Sequence, residues 1–292
     1  MPGIGNRTNL NDGTKLTIIN DIKHAYNNAN AVEKIIYLNV FFFLLTVLFT
    51  AFSLEWLALP ANFDSFLSKP WTLVTYAFIH ERLFHVLSNL LVLYYIGNLF
   101  LDFYSKKQFL NCYFSAIIAG AMAFLLNYYF TSKTGAPLGG ASAAVSAIFV
   151  ALATKIPRYA IRLRFIGSVE LWVMAAIWVV LSILQLATAD NGGAIAHLGG
   201  AIFGFIYAKQ MEKGNDIGRW IESIVNFFAN AFKTKKSGPL KTVYKSGKRS
   251  TSEEVSKTKQ RKINDILDKI SKSGYESLSQ EEKDFLFRSG KE

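Results

Sequence analysis

Three of the four histidines in this chain, His80, His85 and His197, stand at the start of apolar segments. Ionisable residues at such places are expensive in a bilayer, and they usually serve a function there. A single histidine of this kind would more often be a structural hydrogen-bonding group. Because three of them share this placement, one common chemistry is the better explanation.

The residues around these histidines form a set that could hydrolyse an amide bond. A serine hydroxyl is a weak nucleophile until a neighbouring base takes its proton, and His197 could be that base for Ser142. Amide hydrolysis also needs hydrogen-bond donors for the developing oxyanion. The side-chain amide of Asn89, the imidazole of His85 and the backbone N–H of the serine could supply them.

The spacing indicates how helices would hold these groups. His85 and Asn89 are four residues apart, so they share one face of a helix. Gly140 precedes the serine and would let a turn expose the hydroxyl. Gly199 and Gly200 follow His197 and would let two helices approach until serine and histidine touch.

Composition predicts that these helices lie in a membrane. Hydrophobic residues make up 51% of the 292 residues, charged residues only 18%, and mean hydropathy is +0.23. A hydrocarbon core of ~30 Å needs about 20 apolar residues of helix. We predict six spans, at residues 37–60, 83–101, 109–131, 138–156, 169–189 and 194–211.

The basic residues predict the orientation of the spans. Lysine and arginine are richer in the N-terminal segment and in the loops after the second and fourth spans, which predicts cytoplasmic termini. Every even-numbered span then starts at the outer surface. Ser142, His197, His85 and Asn89 lie ~2–7 residues inside those starts, which is ~3–10 Å deep at ~1.5 Å per residue. The four polar groups therefore reach a common level.

With these motifs in place, the chain resembles the rhomboid intramembrane proteases over roughly residues 37–211. His-x-x-x-Asn at residues 85–89, Gly-x-Ser at 140–142 and Ala-His-x-x-Gly at 196–200 carry the resemblance, together with Trp71 and His80 in the first outer loop. Each motif alone is weak, and their order and placement on spans two, four and six make the set specific.

The resemblance implies a Ser142–His197 dyad without an acidic third member. It also implies an oxyanion hole from His85 and Asn89, and a first outer loop, about residues 61–82, lying partly in the outer leaflet. The implied fold is an all-α membrane protein, a six-transmembrane-helix rhomboid-like bundle with a short cytoplasmic helical tail. The implied location is a bacterial inner (cytoplasmic) membrane.

Four positions depart from the family pattern. Ala143 follows the serine where glycine is usual, and Ser146 stands where an aromatic ring commonly stacks on the catalytic histidine. Thr72 replaces a common arginine, and Leu101 stands where a glutamate is frequent. None of these changes removes a reacting atom. Ala143 and Ser146 concern the positioning of the dyad.

The predicted organisation places a cytoplasmic segment before the bundle and a tail after it. No secretory signal is visible in the polar first 35 residues, so the first span is expected to stay as an anchor. In the tail, Gly274 predicts a helix stop, and Ser279 with Glu282 predicts a capping box. The predicted segments are 1–36 (N-terminal segment), 37–211 (protease domain), 212–232 (amphipathic membrane-surface helix), 233–261 (basic flexible linker) and 262–292 (small helical pair).

Several functions are disfavoured by the sequence. Cys112 is the only cysteine, so an internal disulfide or a cysteine-rich metal site is excluded. No metal or organic cofactor is implied. The net charge of +11 is interpreted as membrane topology and lipid attraction, not as nucleic-acid binding. Asp190 as a third triad member is less favoured than a polar cap on a short loop.

The leading hypothesis is an intramembrane serine endopeptidase that cleaves transmembrane segments of single-pass or multi-pass membrane proteins. The alternative is a catalytically silent relative that binds membrane helices. A small transporter is disfavoured, because the polar groups cluster at one depth and a path needs them across the span. The sequence leaves the oligomeric state and the substrate open.

Overall fold

The computed structural model describes residues 20–21, 23–131, 135–164, 167–187, 192–231 and 251–289. The chain divides into two units, Met1–Phe232 and Lys233–Glu292, which are described separately. The first unit contains α1 (Ala31–Leu48), α2 (Thr50–Trp56), α3 (Phe63–Ser68), α4 (Thr72–Thr75), a 3₁₀ turn (Tyr76–Phe78), α5 (Leu83–Phe103), α6 (Lys106–Thr131), α7 (Ser142–Lys155), β1 (Ala160–Leu163), β2 (Gly167–Glu170), α8 (Leu171–Gln185), α9 (Gly192–Glu212) and α10 (Trp220–Ala231). The second contains α11 (Thr251–Ser273), a 3₁₀ turn (Tyr275–Ser277) and α12 (Gln280–Ser289).

The prediction of a mostly helical membrane protein is confirmed. Among the described residues, α1, α5 and α6 are long and apolar enough to cross a membrane, and α7 and α8 are shorter apolar helices. The 14 residues of α7 rise only about 21 Å. The count of six crossings and the cytoplasmic position of the tail stay predictions.

The first helix begins earlier than the sequence predicted. The side chain of Asn30 accepts a hydrogen bond from the Glu33 N–H, and the Glu33 carboxylate accepts one from the Asn30 N–H. This capping box satisfies two amide groups that the helix itself leaves unpaired. The helix therefore starts at Ala31, inside the segment that had been assigned to residues 1–36.

A short hairpin makes the fold less than all-α. β1 and β2 pair antiparallel, from Ala160 opposite Glu170 to Leu163 opposite Gly167. Their backbone groups find partners in each other, which an irregular loop beside a membrane would lack. Because this pairing extends to Glu170, α8 starts at Leu171 and not at the predicted residue 169.

The fourth predicted span also starts too early. Leu138 exchanges two backbone hydrogen bonds with Leu59, with N···O distances of 2.8 and 2.9 Å. Gly140 then adopts a φ of +124°, which a right-handed helix excludes. The helix consequently begins at Ser142, and the residues before it belong to an ordered connection.

The centre of the first unit is built from helices in backbone contact. A Cβ added to Gly200 would overlap the carbonyl oxygen of Ala143, and one added to Gly204 would overlap that of Ala147. On the α6 side, a Cβ at Gly199 would lie 2.6 Å from the Cβ of Ala123. These glycines therefore let α9 lie directly on α7 and α6, as small residues do between membrane helices.

The tail contains the predicted helix stop and capping box. Gly274 follows α11 with a φ of +78°. Before α12, the Ser279 N–H donates to the Glu282 carboxylate at 2.8 Å, and the Glu282 N–H donates to the Ser279 hydroxyl at 3.2 Å. The structure differs in one respect, since α11 begins at Thr251 and so covers part of the predicted linker. Residues 233–250 lie outside the described part of the chain.

Candidate active site

Ser142 is the first residue of α7 and follows a turn that is fixed by hydrogen bonds. The N–H of Gly140 donates to the Tyr76 carbonyl at 2.9 Å, and the N–H of Ala141 donates to Nε2 of His80 at 3.3 Å. A Cβ on Gly140 would lie 2.8 Å from Cε1 of His85, so only glycine combines this positive φ with this approach. The sequence predicted that Gly140 would permit a turn before the serine, and the structure places it in that turn.

His80 supports the turn, a role that the sequence did not assign. Its Nε2 accepts a hydrogen bond, so the proton of the neutral ring is on Nδ1, which faces the Phe78 carbonyl at 3.3 Å. The ring is buried and stands edge-on to that of His85, with centroids 5.2 Å apart. His80 therefore ties the first loop to the start of α7.

Three of the predicted site residues border one cavity of about 460 Å³. Ser142 comes from α7, His197 from α9 and His85 from α5, so three separate helices converge on it. The remaining wall comes from the connections around the site and the ends of neighbouring helices: Ile79, Glu81, Arg82, Phe124, Ala136, Pro137, Leu138, Gly139, Gln185 and Gly193. The cavity thus has both a polar and an apolar part.

The serine and the histidine share this cavity without a direct bond. Within the described residues, the hydrogen bonds do not include one between the Ser142 hydroxyl and the His197 ring. Catalytic hydrogen bonds are often long in an unliganded site and tighten when substrate binds. The arrangement is therefore compatible with a dyad that closes on substrate.

The two predicted oxyanion donors are placed differently. His85 lines the cavity, but Asn89 does not. The Asn89 amide instead donates to the His85 carbonyl at 2.9 Å, one turn back in α5, and its buried Oδ1 has no partner among the described residues. The structure therefore places His85 in the wall of the cavity that Ser142 borders, and Asn89 outside that wall.

The start of α7 adds an electrostatic contribution. Its first intrahelical hydrogen bond runs from the Val145 N–H to the Ala141 carbonyl, and no side chain caps the helix. The N–H groups of its first residues have no acceptor inside the helix, and the positive end of the helix dipole lies at the cavity. An anion that develops beside Ser142 would be stabilised there.

The sequence missed the neighbours of His197 on α8. The indole of Trp178 lies 6.0 Å from the His197 ring, centroid to centroid, with an angle of 36° between the planes. Ser182 places its hydroxyl 3.5 Å from Nδ1 of the same histidine. These two residues are four apart in an apolar span, so the sequence shows that they share one face of a helix. The sequence does not show that this face packs against His197.

No metal site accompanies this cavity in the part of the chain that the structure describes, where groups of three or more metal-binding side chains are absent. Asp190, the less favoured third member of a triad, lies outside the described residues.

Residues 67–212, half of the chain, match the family model of the Rhomboid domain. Together with the helical fold and the convergence of the three motifs, this match shows that the chain belongs to the rhomboid family. Residues 252–291 match a second model, described as a family of unknown function (DUF6576). That match coincides with α11 and α12.

Curated relatives match the same region. The chain is 27% identical over 169 residues to RHOMBOID-like protein 12, mitochondrial, of Arabidopsis thaliana, covering 50% of that protein and 52% of this chain. It is 29% identical over 152 residues to the human Presenilin-associated rhomboid-like protein, mitochondrial, covering 37% of it and 48% of this chain. It is 28% identical over 160 residues to Rhomboid-like protease 3 of Toxoplasma gondii, covering 55% of it and 51% of this chain. The chain thus spans only about a third to a half of the length of these relatives.

The predicted location in a bacterial inner membrane is wrong. The plant and human relatives are mitochondrial rhomboid-like proteins by name, which points away from a bacterial membrane. The side of the membrane on which the two termini lie is not tested by these relatives and stays a prediction. The physical reason is that charge bias between loops orients helices within a bilayer and carries no information on which bilayer it is. The assignment as a membrane protein is supported.

Proposed function

We propose that this protein is an intramembrane serine endopeptidase that cleaves transmembrane segments of other membrane proteins. The observation that carries the proposal is the single cavity bordered by Ser142, His197 and His85. A nucleophile, a base and an oxyanion donor are the three groups that amide hydrolysis requires. Membership of the rhomboid family adds support.

The reaction would follow from the positions of these groups. His197 takes the proton of the Ser142 hydroxyl as Oγ attacks the scissile carbonyl carbon. The oxyanion is stabilised by the His85 ring, the Ser142 N–H and the start of α7. His197 then protonates the leaving amine, and water hydrolyses the acyl-enzyme to restore the hydroxyl.

The substrate is expected to be a membrane helix that unwinds locally. In a regular helix, backbone hydrogen bonds and neighbouring side chains shield the scissile carbonyl. Small or helix-breaking residues near the cut lower the cost of opening it. The cavity wall includes Glu81 and Arg82, and polar groups there favour the entry of the water that the second step consumes.

Cleavage in liposomes tests the proposal. The wild type should cut a model transmembrane substrate with small residues at its centre, and Ser142→Ala and His197→Ala should each abolish cleavage. Ser115→Ala is the matched control, because that serine is buried in α6 with no hydrogen-bond partner among the described residues. Its loss should cost little stability. Cleavage that persists in Ser142→Ala would eliminate the mechanism.

A second candidate, a catalytically silent relative that binds membrane helices, is favoured by one observation. The described hydrogen bonds do not join Ser142 to His197. A fluorophosphonate probe separates the two candidates, since it reacts only with an activated serine. We expect the wild type to be labelled and His197→Ala to stay unlabelled. A folded wild type that stays unlabelled would favour the silent relative.

A further inference from the structure

A network of hydrogen bonds and ring contacts on the side of His197 that faces α8 connects three helices. It begins at Ser146, one turn into α7, whose hydroxyl donates to the Ser142 carbonyl at 2.7 Å. The indole N–H of Trp178 donates to the same hydroxyl at 2.8 Å. The Trp178 ring then lies beside the His197 ring. The backbone of the nucleophile is thereby connected to the ring of the base through α8.

Because the residues of this network are buried, the loss of one of its hydrogen bonds would be costly. Ser146 is fully buried, so a lost partner for its hydroxyl would leave an unsatisfied polar group in an apolar interior. Phe149 packs edge-on against Trp178, with ring centroids 6.2 Å apart. The indole is therefore held at its N–H by one residue of α7 and at its ring by another.

Ser182 completes the surroundings of the base. Its hydroxyl donates its one proton to the Trp178 carbonyl at 3.0 Å, so toward Nδ1 of His197 it can only accept. The proton of a neutral His197 ring is then on Nδ1. Nε2 is left unprotonated, which is the state that a base for Ser142 requires.

We propose that Trp178 and Ser182 are positioning residues for His197: Trp178, anchored on Ser146, fixes the plane of the ring, and Ser182 fixes the proton on Nδ1. The proposal rests on the proposed function in one respect, since the ring that is positioned is the general base. Neither residue touches the reacting atoms. Both act from α8, which supplies only Gln185 to the wall of the cavity.

The first test measures kcat and KM for cleavage in liposomes. Trp178→Leu and Ser182→Ala should each lower kcat by about 10- to 100-fold with KM unchanged, because a misplaced base slows the chemical step. Trp178→Phe keeps a ring but lacks the N–H that is anchored on Ser146, so it should recover only part of the loss. Ser182→Thr keeps the hydroxyl and should recover most of the loss. Rates are divided by the amount of serine labelled at the end point, so that unfolded protein is not counted.

Trp172→Leu is the matched control for Trp178→Leu. Trp172 is on the same helix, and its indole N–H also makes a hydrogen bond, to the Glu170 carboxylate at 2.7 Å. It is half exposed and does not line the cavity. Its loss should leave kcat unchanged. Equal losses in the two tryptophan variants would mean that α8 has only a structural role, which overturns the proposal.

The second test does not need cleavage. Nitrogen-15 chemical shifts of the His197 ring, assigned through His197→Gln, should place the proton on Nδ1 in the wild type. In Ser182→Ala the shifts should move toward a mixture of the two tautomers. A wild-type ring protonated on Nε2, or shifts unaffected by Ser182→Ala, would overturn the proposal.

The two tests distinguish two failures. If the wild type cleaves and the α8 variants keep their kcat, only the positioning role fails. If the wild type neither cleaves nor reacts with fluorophosphonate, the proposed function fails and the assignment of His197 as a positioned base fails with it. If the tautomer of His197 still changed in Ser182→Ala, the contact between Ser182 and His197 would then have only a structural role.

Discussion

Helix α9 meets its neighbours in two different ways. Toward α7 and α6, the glycines at positions 199, 200 and 204 lie directly against the backbone and the alanines of those helices. Toward α8 it presents the His197 ring to Trp178 and Ser182. We call the first the glycine interface and the second the side-chain interface. A backbone contact fixes distance and tolerates no added atom, whereas a side-chain contact fixes orientation and can adjust.

The largest effect is expected at the glycine interface, from Gly200→Ala. The added Cβ would overlap the Ala143 carbonyl oxygen, and backbone cannot rotate away as a side chain can. We expect a loss of about 3 kcal/mol or more in unfolding free energy from overpacking. The better helix propensity of alanine, about 1 kcal/mol, offsets only part of it. Fluorophosphonate labelling should be lost in the same variant.

Cys112 provides the measurement of this stability. It is the only cysteine and is fully buried in α6, so its reaction with a maleimide on heating reports unfolding. Gly97→Ala is the control, since its Cβ would meet the side-chain methyl groups of Val32 at 3.0 Å and no backbone atom of a neighbouring helix. If both variants lose the same stability, the contrast between backbone and side-chain contacts is refuted.

A smaller loss of stability with a strong loss of activity is expected from Gly140→Ala. Its positive φ of +124° costs a non-glycine residue about 1–3 kcal/mol. The Cβ would also press on the His85 ring, so cleavage should fall by about 100-fold. Gly167→Ala separates the two effects, because Gly167 has a φ of +92° with nothing within 4 Å. Similar activity losses in both variants would exclude the contact with His85 as the cause.

The smallest effect is expected at a side-chain contact between α6 and α10. Asn111 donates to Glu222 at 3.1 Å, and Lys107 lies 3.3 Å from the same carboxylate. The hydrogen bond from Asn111, and then the Lys107 ammonium, lower the pKa of Glu222 below its usual 4.5. The stability from this contact is therefore present above the unfolded pKa and is lost as pH falls through the lowered folded pKa.

Glu222→Gln should remove that dependence on acid. Maleimide labelling of Cys112, followed against pH in detergent, should show a slightly shallower loss of stability below about pH 4.5 in the variant than in the wild type. Lys107→Met should have a weaker effect, because it removes only one of the groups that lower the pKa of Glu222. Identical acid profiles for the wild type and Glu222→Gln would show that this contact contributes no stability.

The sequence predicted much of the candidate site because its signals are local. A serine after glycines, a histidine before glycines and a histidine near the start of an apolar span each depend on a few consecutive residues. Helix bounds were less well predicted. Pairing with Leu59 delayed the start of α7, and the hairpin delayed α8, since both depend on residues distant in sequence.

Ser146 illustrates the limit of reading one position at a time. By itself it is a small residue where the family commonly has an aromatic ring. In the structure the indole of Trp178 lies beside His197, and the small hydroxyl of Ser146 holds that indole. A replacement supplied by another helix cannot be seen from the position that lacks the ring.

The sequence alone determined that this is a helical membrane protein with motifs that place serine and histidine near the ends of separate helices, because hydropathy and residue spacing are properties of the linear chain. Only the tertiary structure decided that Asn89 hydrogen-bonds within its own helix, that His80 holds the turn before Ser142, and that Trp178 and Ser182 of α8 contact His197. Those facts depend on how helices rotate about their axes when they pack. That rotation is set by contacts among all of them together.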